Sequence, residues 1–403
     1  MAKKTDEKTP LKKGISTFNI VGRVKLNDNT FSIDNESNTS DWIYSSMNLG
    51  VDTGNGVVFS NLMGGYGATR DNVVYVHGVK KNDAGKVVSD YENRFTIDWE
   101  DRFDDAILET IGDDCFIKIG IEKTNKGKTF TKKFLSAYDA VEYCSEHLTD
   151  EMVVNIAGTL QYQYYNDSVS VQKNIKSIYL STKDEGDFKA EFRQTILLDE
   201  DSVGKFDKEK NTYPIDCYVV DYVGKLDGKE IKQNVVMSKT FYFDVLDVEN
   251  PDKTKKLLDK FFKPSKKNKI LELGVIGSFC EGGVVSTATL DDLDDDVKIM
   301  LEAGMLTEEE ALAKYTTGER ERRMVIKQFI TRNDSEDAET KHLVIMQDED
   351  KYTVDDLVFI SQLIDEDETD EADTDEEVVE TDTDEVEADD DDEWMKALMG
   401  DDE

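Results

Sequence analysis

Flat aromatic rings interleaved with basic side chains recur along this chain at strand-like spacing. In the first third they are Trp42, Tyr44, Phe59, Tyr66 and Tyr75, with Arg23, Lys25 and Arg70 nearby in sequence. Further on come Tyr162, Tyr164 and Tyr165 with Lys173 and Lys176, and later Arg320, Arg322 and Arg323 ahead of an apolar strand pattern. Such rings offer faces on which planar bases stack, and scattered cations can follow a phosphate backbone with little regard to sequence. Strands use aromatics in their cores as well, so each ring has ordinary packing as its alternative. Neighbouring strand residues face opposite ways, so one of Tyr164 and Tyr165 is expected at the surface. Residues 253–269 add eight lysines, which suit a solvated helix face as well as a phosphate track.

Other chemistries find little support. The chain has only His77, His147 and His342, so a His-based metal site or a Ser-His-Asp triad would rest on isolated residues. Cys115, Cys144, Cys217 and Cys280 form no CxxC, which fits reduced thiols in a cytoplasm better than zinc or a disulfide scaffold. Gly127-Lys128-Thr129 lacks the first glycine of a phosphate loop, because Glu122 stands there. Its flanks read as a hairpin turning at Asn125 to Gly127. Met63 to Gly67, MGGYG, lacks the strand-to-helix setting of a dinucleotide fingerprint. Carboxylate clusters such as Asp98 to Asp105 or Asp199 to Asp201 arise freely in so acidic a chain, and no converging set for a two-metal nuclease stands out. No catalysis, metal or cofactor is expected. No run of 18 apolar residues occurs, and the charged stretch MAKKTDEKTPLKKG lacks the apolar core of a secretory signal, so no membrane partner is expected.

The charge is uneven. The 403 residues carry 89 acids and 49 bases, a net −40. Residues 365–393 hold 20 acids and no base, and residues 394–403 add three acids and Lys396, so the part before residue 365 keeps 66 acids against 48 bases, a net −18. Phosphate affinity comes from bases, so this acidity argues against a simple DNA-coating surface. A local positive groove is still possible, because exposed charges are screened beyond about 8–10 Å. Residues 365–393 cannot bury a core and repel themselves, so a disordered tail is expected. The last ten residues differ: Trp394 with Leu398 and Met395 with Met399 are spaced i,i+4, so a short helix would gather an apolar tip for protein recruitment.

The elements that must position the rings are mostly strands, with two-residue alternation over long stretches. Phe18, Ile20, Val24 and Leu26 share one face of FNIVGRVKL, and Asn19, Arg23 and Lys25 the other. VNIAGTLQY repeats the start, with Asn-Ile-x-Gly at Asn19 to Gly22 and at Asn155 to Gly158, and Val275-Ile276-Gly277 gives a weaker echo. A glycine inside such a strand marks a local kink or, more specifically, a first strand bent to pair in two sheets, as small closed barrels require. Strands are expected at 152–165, 169–180, 188–198, 213–223 and 234–245. Helices are expected at Asp104 to Ile111, at Ser136 to Leu148 (Ala137, Ala140, Val141 and Cys144 inward, Asp139 and Glu142 outward), after Pro251, and around Asp292 to Tyr315.

The tandem β-blocks opening with Asn-Ile-x-Gly, and the acidic tail with its apolar tip, resemble the single-stranded-DNA-binding proteins of tailed-bacteriophage replication modules. The stretches most similar are WIYSSMNLGVDTGNGVVFSNLMGGYG, FTIDWEDRFDDAILETIGDDCF, MVVNIAGTLQY and GERERRMVIKQFI. The tip, Trp394 to Glu403, is longer than the short acidic-aromatic ending usual there. The resemblance implies an oligonucleotide-binding (OB) fold, no catalysis, binding of single-stranded DNA, and replication or recombination proteins as partners. The expected fold is mainly β with some helix (α+β): tandem OB-like barrels, a small α/β region and a disordered acidic tail. The expected division is a flexible basic segment 1–14, OB-like domains 15–148 and 149–267, an α/β region 268–364 that is either separate or completes the second domain, and the tail 365–403. The setting is cytoplasmic (a bacterial host's, if phage-encoded), and self-association is possible. The rivals are a non-enzymatic acidic interaction protein, such as a virion component or DNA mimic, and a metal-dependent nuclease.

Overall fold

The computed structural model describes residues 8–363, apart from 83, 166–167, 227–228, 248, 284–296, 299–300, 302–319 and 335–341. The strands, in chain order, are β1 (Ser16–Lys25), β2 (Phe31–Glu36), β3 (Trp42–Asp52), β4 (Val57–Gly67), β5 (Val73–Lys81), β6 (Val87–Asp98), β7 (Ile117–Lys123), β8 (Thr129–Phe134), β9 (Val153–Tyr165) and β10 (Ser168–Leu180). They continue with β11 (Lys189–Leu198), β12 (Thr212–Leu226), β13 (Lys229–Asp244), β14 (Lys269–Gly283), β15 (Arg320–Phe329), β16 (Thr331–Asn333), β17 (Leu343–Ile345) and β18 (Gln347–Thr353). The helices are α1 (Asp105–Leu108), α2 (Ala137–His147) and α3 (Pro251–Phe261). The chain is mainly β. Of the helical centre expected around Asp292 to Tyr315 only Val297, Lys298 and Leu301 are described, and they are helical; the rest of it and the tail 365–403, with Trp394, Met395, Leu398 and Met399, lie outside the described residues.

Two five-strand circuits close, with the same order. In the first, β1 pairs β3, β3 pairs β4, β4 meets β10 in parallel, β10 pairs β9, and β9 returns to β1. In the second, β11 pairs β12, β12 pairs β13, β13 meets β15 in parallel, β15 pairs β14, and β14 returns to β11. Each has a helix between its third and fourth strands, α2 and α3, which is the plan of an OB barrel. In α2, Ala140, Val141 and Cys144 are buried as the periodicity predicts. Asp139 is buried too, not outward, because Arg102 reaches it with two hydrogen bonds, at 2.8 and 3.1 Å.

The first strand is bent as its glycine predicts. The first part of β1, Ser16 to Val21, pairs β11, while Arg23 to Lys25 pair β3. At Gly22 the Asp52 carbonyl comes so near that a Cβ would lie 2.2 Å from it.

The strand pairing runs across the expected boundary near 148. Residues 153–180 do not open a second barrel; they are the strands that close the first. Asn19-Gly22 and Asn155-Gly158 are therefore partners rather than equivalents, with Ile20 opposite Ile156 and the Asn19 amide donating to Asn155 Oδ1 at 2.6 Å. The true echo is Gly158 with Gly277, in matching strands of the two barrels. The region from 268 supplies β14 and β15 and so completes the second barrel.

One hydrophobic core runs through both barrels. The β9–β10 hairpin causes this: its near half belongs to the first barrel and its far half lies on the second. There the Asp221 carboxylate accepts from the Tyr162 amide at 2.8 Å, and Lys239 Nζ donates to the Val169 carbonyl at 2.7 Å.

Candidate nucleic-acid interface

Alternation along β3 and β4 turns Ser45, Met47, Leu49, Val58, Ser60 and Leu62 into the first barrel. Their neighbours form the outer face. Its rows run Tyr44–Gly65, Ser46–Met63, Asn48–Asn61, Gly50–Phe59 and Asp52–Val57. Lys25 and Arg23 extend the last two rows on β1. Tyr44 and Phe59 each have a glycine as partner in the β3–β4 ladder, so neither ring meets a side chain across that pair; on its other edge Tyr44 stands opposite Asn35 of β2. Phe59 lies against Gly50, its Cε1 3.0 Å from where a Cβ would stand. Four of the expected residues, Arg23, Lys25, Tyr44 and Phe59, are thus brought together on one half-exposed face.

The cations of this face are already engaged. Arg23 pairs Glu185 at 2.8 Å and Glu151 at 3.3 Å, and Lys25 pairs Glu151 at 2.5 Å. The hydrogen bond that Lys25 donates to Glu151 raises the Lys25 pKa. Trp42 sits at the corner of the face with Arg70 5.9 Å from its ring, and Arg70 approaches Asp41 at 3.7 Å. The Thr69 hydroxyl and amide donate to Asp41 and, with Arg70, hold its carboxyl below the usual range.

Other expected residues go elsewhere. Tyr66 joins a ring cluster with Trp99 at 5.4 Å and Tyr138 at 5.5 Å, under an Arg102 guanidinium 4.1 Å from Trp99. Tyr75 stands 82% exposed on the β5–β6 hairpin. Tyr162 is buried, its hydroxyl 3.2 Å from Gln194 Oε1, so it does not stack on a ligand. Lys173 is buried as well, paired with Glu281 at 2.5 Å and 4.7 Å from the Phe279 ring, so it does not meet phosphate. Both sit on the half of β9–β10 that covers the second barrel, where an inward position meets a core rather than solvent. Of the tyrosine pair, Tyr164 packs on the core and Tyr165 takes the outer face.

Lys176 is exposed at a bulge in β10 between Ile175 and Ser177. Arg322 is exposed on β15, and Arg323 is half-buried 5.6 Å from the Tyr242 ring. Both belong to the second barrel; the Arg320 side chain lies outside the described residues.

The corresponding face of the second barrel, on β12 and β13, is closed by two segments of the chain, around Thr9 to Leu11 and Tyr352 to Phe359. Val220, Val236 and Leu197 turn outward there, into a separate small core with Leu11, Ile270, Tyr352 and Leu357. Phe359 pairs alongside Val236 and meets the Tyr218 ring edge-on at 5.2 Å. Asn234 donates to the Leu11 carbonyl at 2.8 Å, and the Thr9 amide to Asp356 at 2.7 Å. The two barrels share a plan but not an open face. Hydrophobic pattern alone could have flagged this cover, since LVFI at 357–360 is apolar, but nothing local says what it covers.

Among the described residues no three of His, Cys, Asp and Glu converge to hold a metal ion. No protein-family model and no curated protein matches the chain. Among solved structures, the chain is similar to a deletion mutant of the single-stranded DNA-binding protein from Thermus aquaticus, at 8% identity and TM-score 0.30, over 68% of this chain and 89% of that one. The wild-type form of that protein matches at 8% identity and TM-score 0.28, over 67% and 87%. A likeness that distant leaves function to this chain's own residues.

Proposed function

We propose that this chain is a non-enzymatic, non-sequence-specific single-stranded-DNA-binding protein of phage replication or recombination, working in the host cytoplasm. The observation that carries the proposal is the open outer face of the first barrel. Tyr44 and Phe59 stand there over glycines, with Arg23 and Lys25 on the adjoining strand. Bases stack on the rings, and phosphates take Arg23 and Lys25 from Glu151 and Glu185. The acidic tail, as a tethered polyanion at an effective concentration that reaches about millimolar, competes for the same cations. Bound DNA displaces it and frees the Trp394 tip for a replication or recombination partner.

The test is a fluorescence-anisotropy titration of labelled oligo-dT, with the full chain and with one ending at Ile364, at low and moderate salt. Binding by both, tighter for the shorter chain, is the expected result. Absence of binding even at low salt would overturn the proposal. It would favour the rival suggested by the acid-paired Arg23 and Lys25 and the net −18 body, an acidic protein that binds a basic partner.

A further inference from the structure

The outer surface of the first barrel carries amides where a phosphate-binding surface would carry cations. Asn48 on β3 stands opposite Asn61 on β4, and Asn61 opposite Asn174 on β10 at the parallel bridge that closes the barrel. Asn174 donates to Gln161 Oε1 at 2.8 Å, and one row farther along the hairpin Gln172 donates to Gln163 Oε1 at 2.5 Å. All six are half-exposed. In a chain that is 34% charged, no charged residue interrupts the outward positions of β9 and β10 from Thr159 to Tyr165 and from Ser170 to Asn174. The row Asn48–Asn61 lies beside the Gly50–Phe59 row and two rows from Tyr44. The amides therefore begin where a base on either ring would present its edge, and they continue onto β9–β10.

An amide side chain carries two donors and an acceptor with two lone pairs. It can answer the hydrogen-bonding edge of any base, and it attracts no counterions that binding would release. We infer that Asn48, Asn61, Asn174, Gln161, Gln172 and Gln163 form a base-edge track for single-stranded DNA that extends the ring face onto the β9–β10 hairpin. The track supplies affinity that salt does not screen. This rests on the single-strand-binding proposal and deepens it: a body of net −18, whose ring-face cations Arg23 and Lys25 are tied to Glu151 and Glu185, holds a polyanion partly through its bases.

The experiment compares wild type with the Asn61→Ala/Gln172→Ala double variant, binding a mixed-sequence single-stranded oligonucleotide at several salt concentrations. Loss of two or more hydrogen bonds predicts binding weaker by about tenfold at every salt concentration, with the slope of log affinity against log salt unchanged. Gln172→Met, of similar length without the amide, is a second variant that keeps side-chain bulk, and it should weaken binding with unaltered thermal unfolding. Affinities equal to wild type, or a change confined to the salt slope, overturn the track and leave the ring face standing. Wild type that binds no oligonucleotide overturns both.

Discussion

Phe18 and Phe192 stand directly opposite each other in the ladder that joins the first strands of the two barrels. On its other edge each faces a glycine, Phe18 opposite Gly158 and Phe192 opposite Gly277. The rings occupy the space that side chains at those glycines would need. A Cβ at Gly158 would lie 2.8 Å from Phe18 Cε1 and 2.0 Å from the Asn174 carbonyl oxygen; one at Gly277 would lie 2.2 Å from Phe192 Cζ and 2.2 Å from the Val325 carbonyl oxygen. The joint between the barrels is thus built from one contact used twice.

Gly158→Ala and Gly277→Ala should each destabilise the fold by about 1–3 kcal/mol, the usual cost of forcing a methyl into a filled site. Chemical denaturation would read this as a lower midpoint with an unchanged slope. Equal midpoints for wild type and both variants would mean that the joint is looser than these distances require.

Tyr44→Ala and Phe59→Ala should weaken oligo-dT binding by about 1–3 kcal/mol each if each ring stacks a base, with little change in stability. Lys173→Met should do the opposite. It strands the largely buried Glu281 carboxylate, 12% exposed, so a stability loss of up to about 3 kcal/mol is expected, with the salt slope of DNA binding preserved. Comparing titrations and melts of the three variants separates a ligand-facing residue from a core residue. A shallower salt slope in Lys173→Met would contradict its assignment to the joint.

Glu151 holds both Arg23 and Lys25. Glu151→Gln should free Lys25 and leave Arg23 to Glu185 alone, tighten oligonucleotide binding at low salt, and steepen the log–log salt dependence by roughly 0.7 for one phosphate newly neutralised on a single strand, or by up to about 1.4 where phosphate also takes Arg23 from Glu185. If affinity and slope both stay at the wild-type values, these two cations do not reach phosphate.

Acid should loosen the cover over the second barrel. Burial pushes the Asp356 carboxyl up, but the Thr9 amide and the Thr353 amide and hydroxyl all donate to it and hold it below its ordinary 3.8. A carboxylate depressed in the folded state contributes stability that is complete above the unfolded value and is lost as pH falls through the lower folded value. Binding of an apolar dye should therefore rise as pH drops below 3.8, as Leu357 and Phe359 lift from β12 and β13. Asp356→Asn should raise dye binding at neutral pH and flatten its acid dependence. An unaltered acid profile in that variant would assign the transition to other carboxylates.

Much of this molecule is legible locally. Two-residue alternation places β1, β3, β4 and the strands from β9 to β13, since a half-buried strand must alternate whatever it pairs with. The turn at Asn125 to Gly127 follows from a glycine that takes φ 74°. The split of Tyr164 inward and Tyr165 outward follows from the pleat. The ring face needed no more than Tyr44, Phe59 and two bases on strands that could be read as strands.

Which strand closes which barrel was decided only in three dimensions. Alternation marks a buried face but not the neighbour across the ladder, so Asn155 to Gly158 looked like a second beginning when it is the first strand's partner. Tyr162 and Lys173 look no different in sequence from Tyr44 and Lys25. They are buried because their hairpin outlasts its own barrel and meets the next one. The closed face of the second barrel depends on contacts such as Thr9 with Asp356, 347 residues apart. The amino-acid sequence by itself therefore determined the strands, the charge and the supply of rings and amides. Tertiary structure determined which of those side chains still face solvent, because burial is a property of the partner and the partner is chosen at long range.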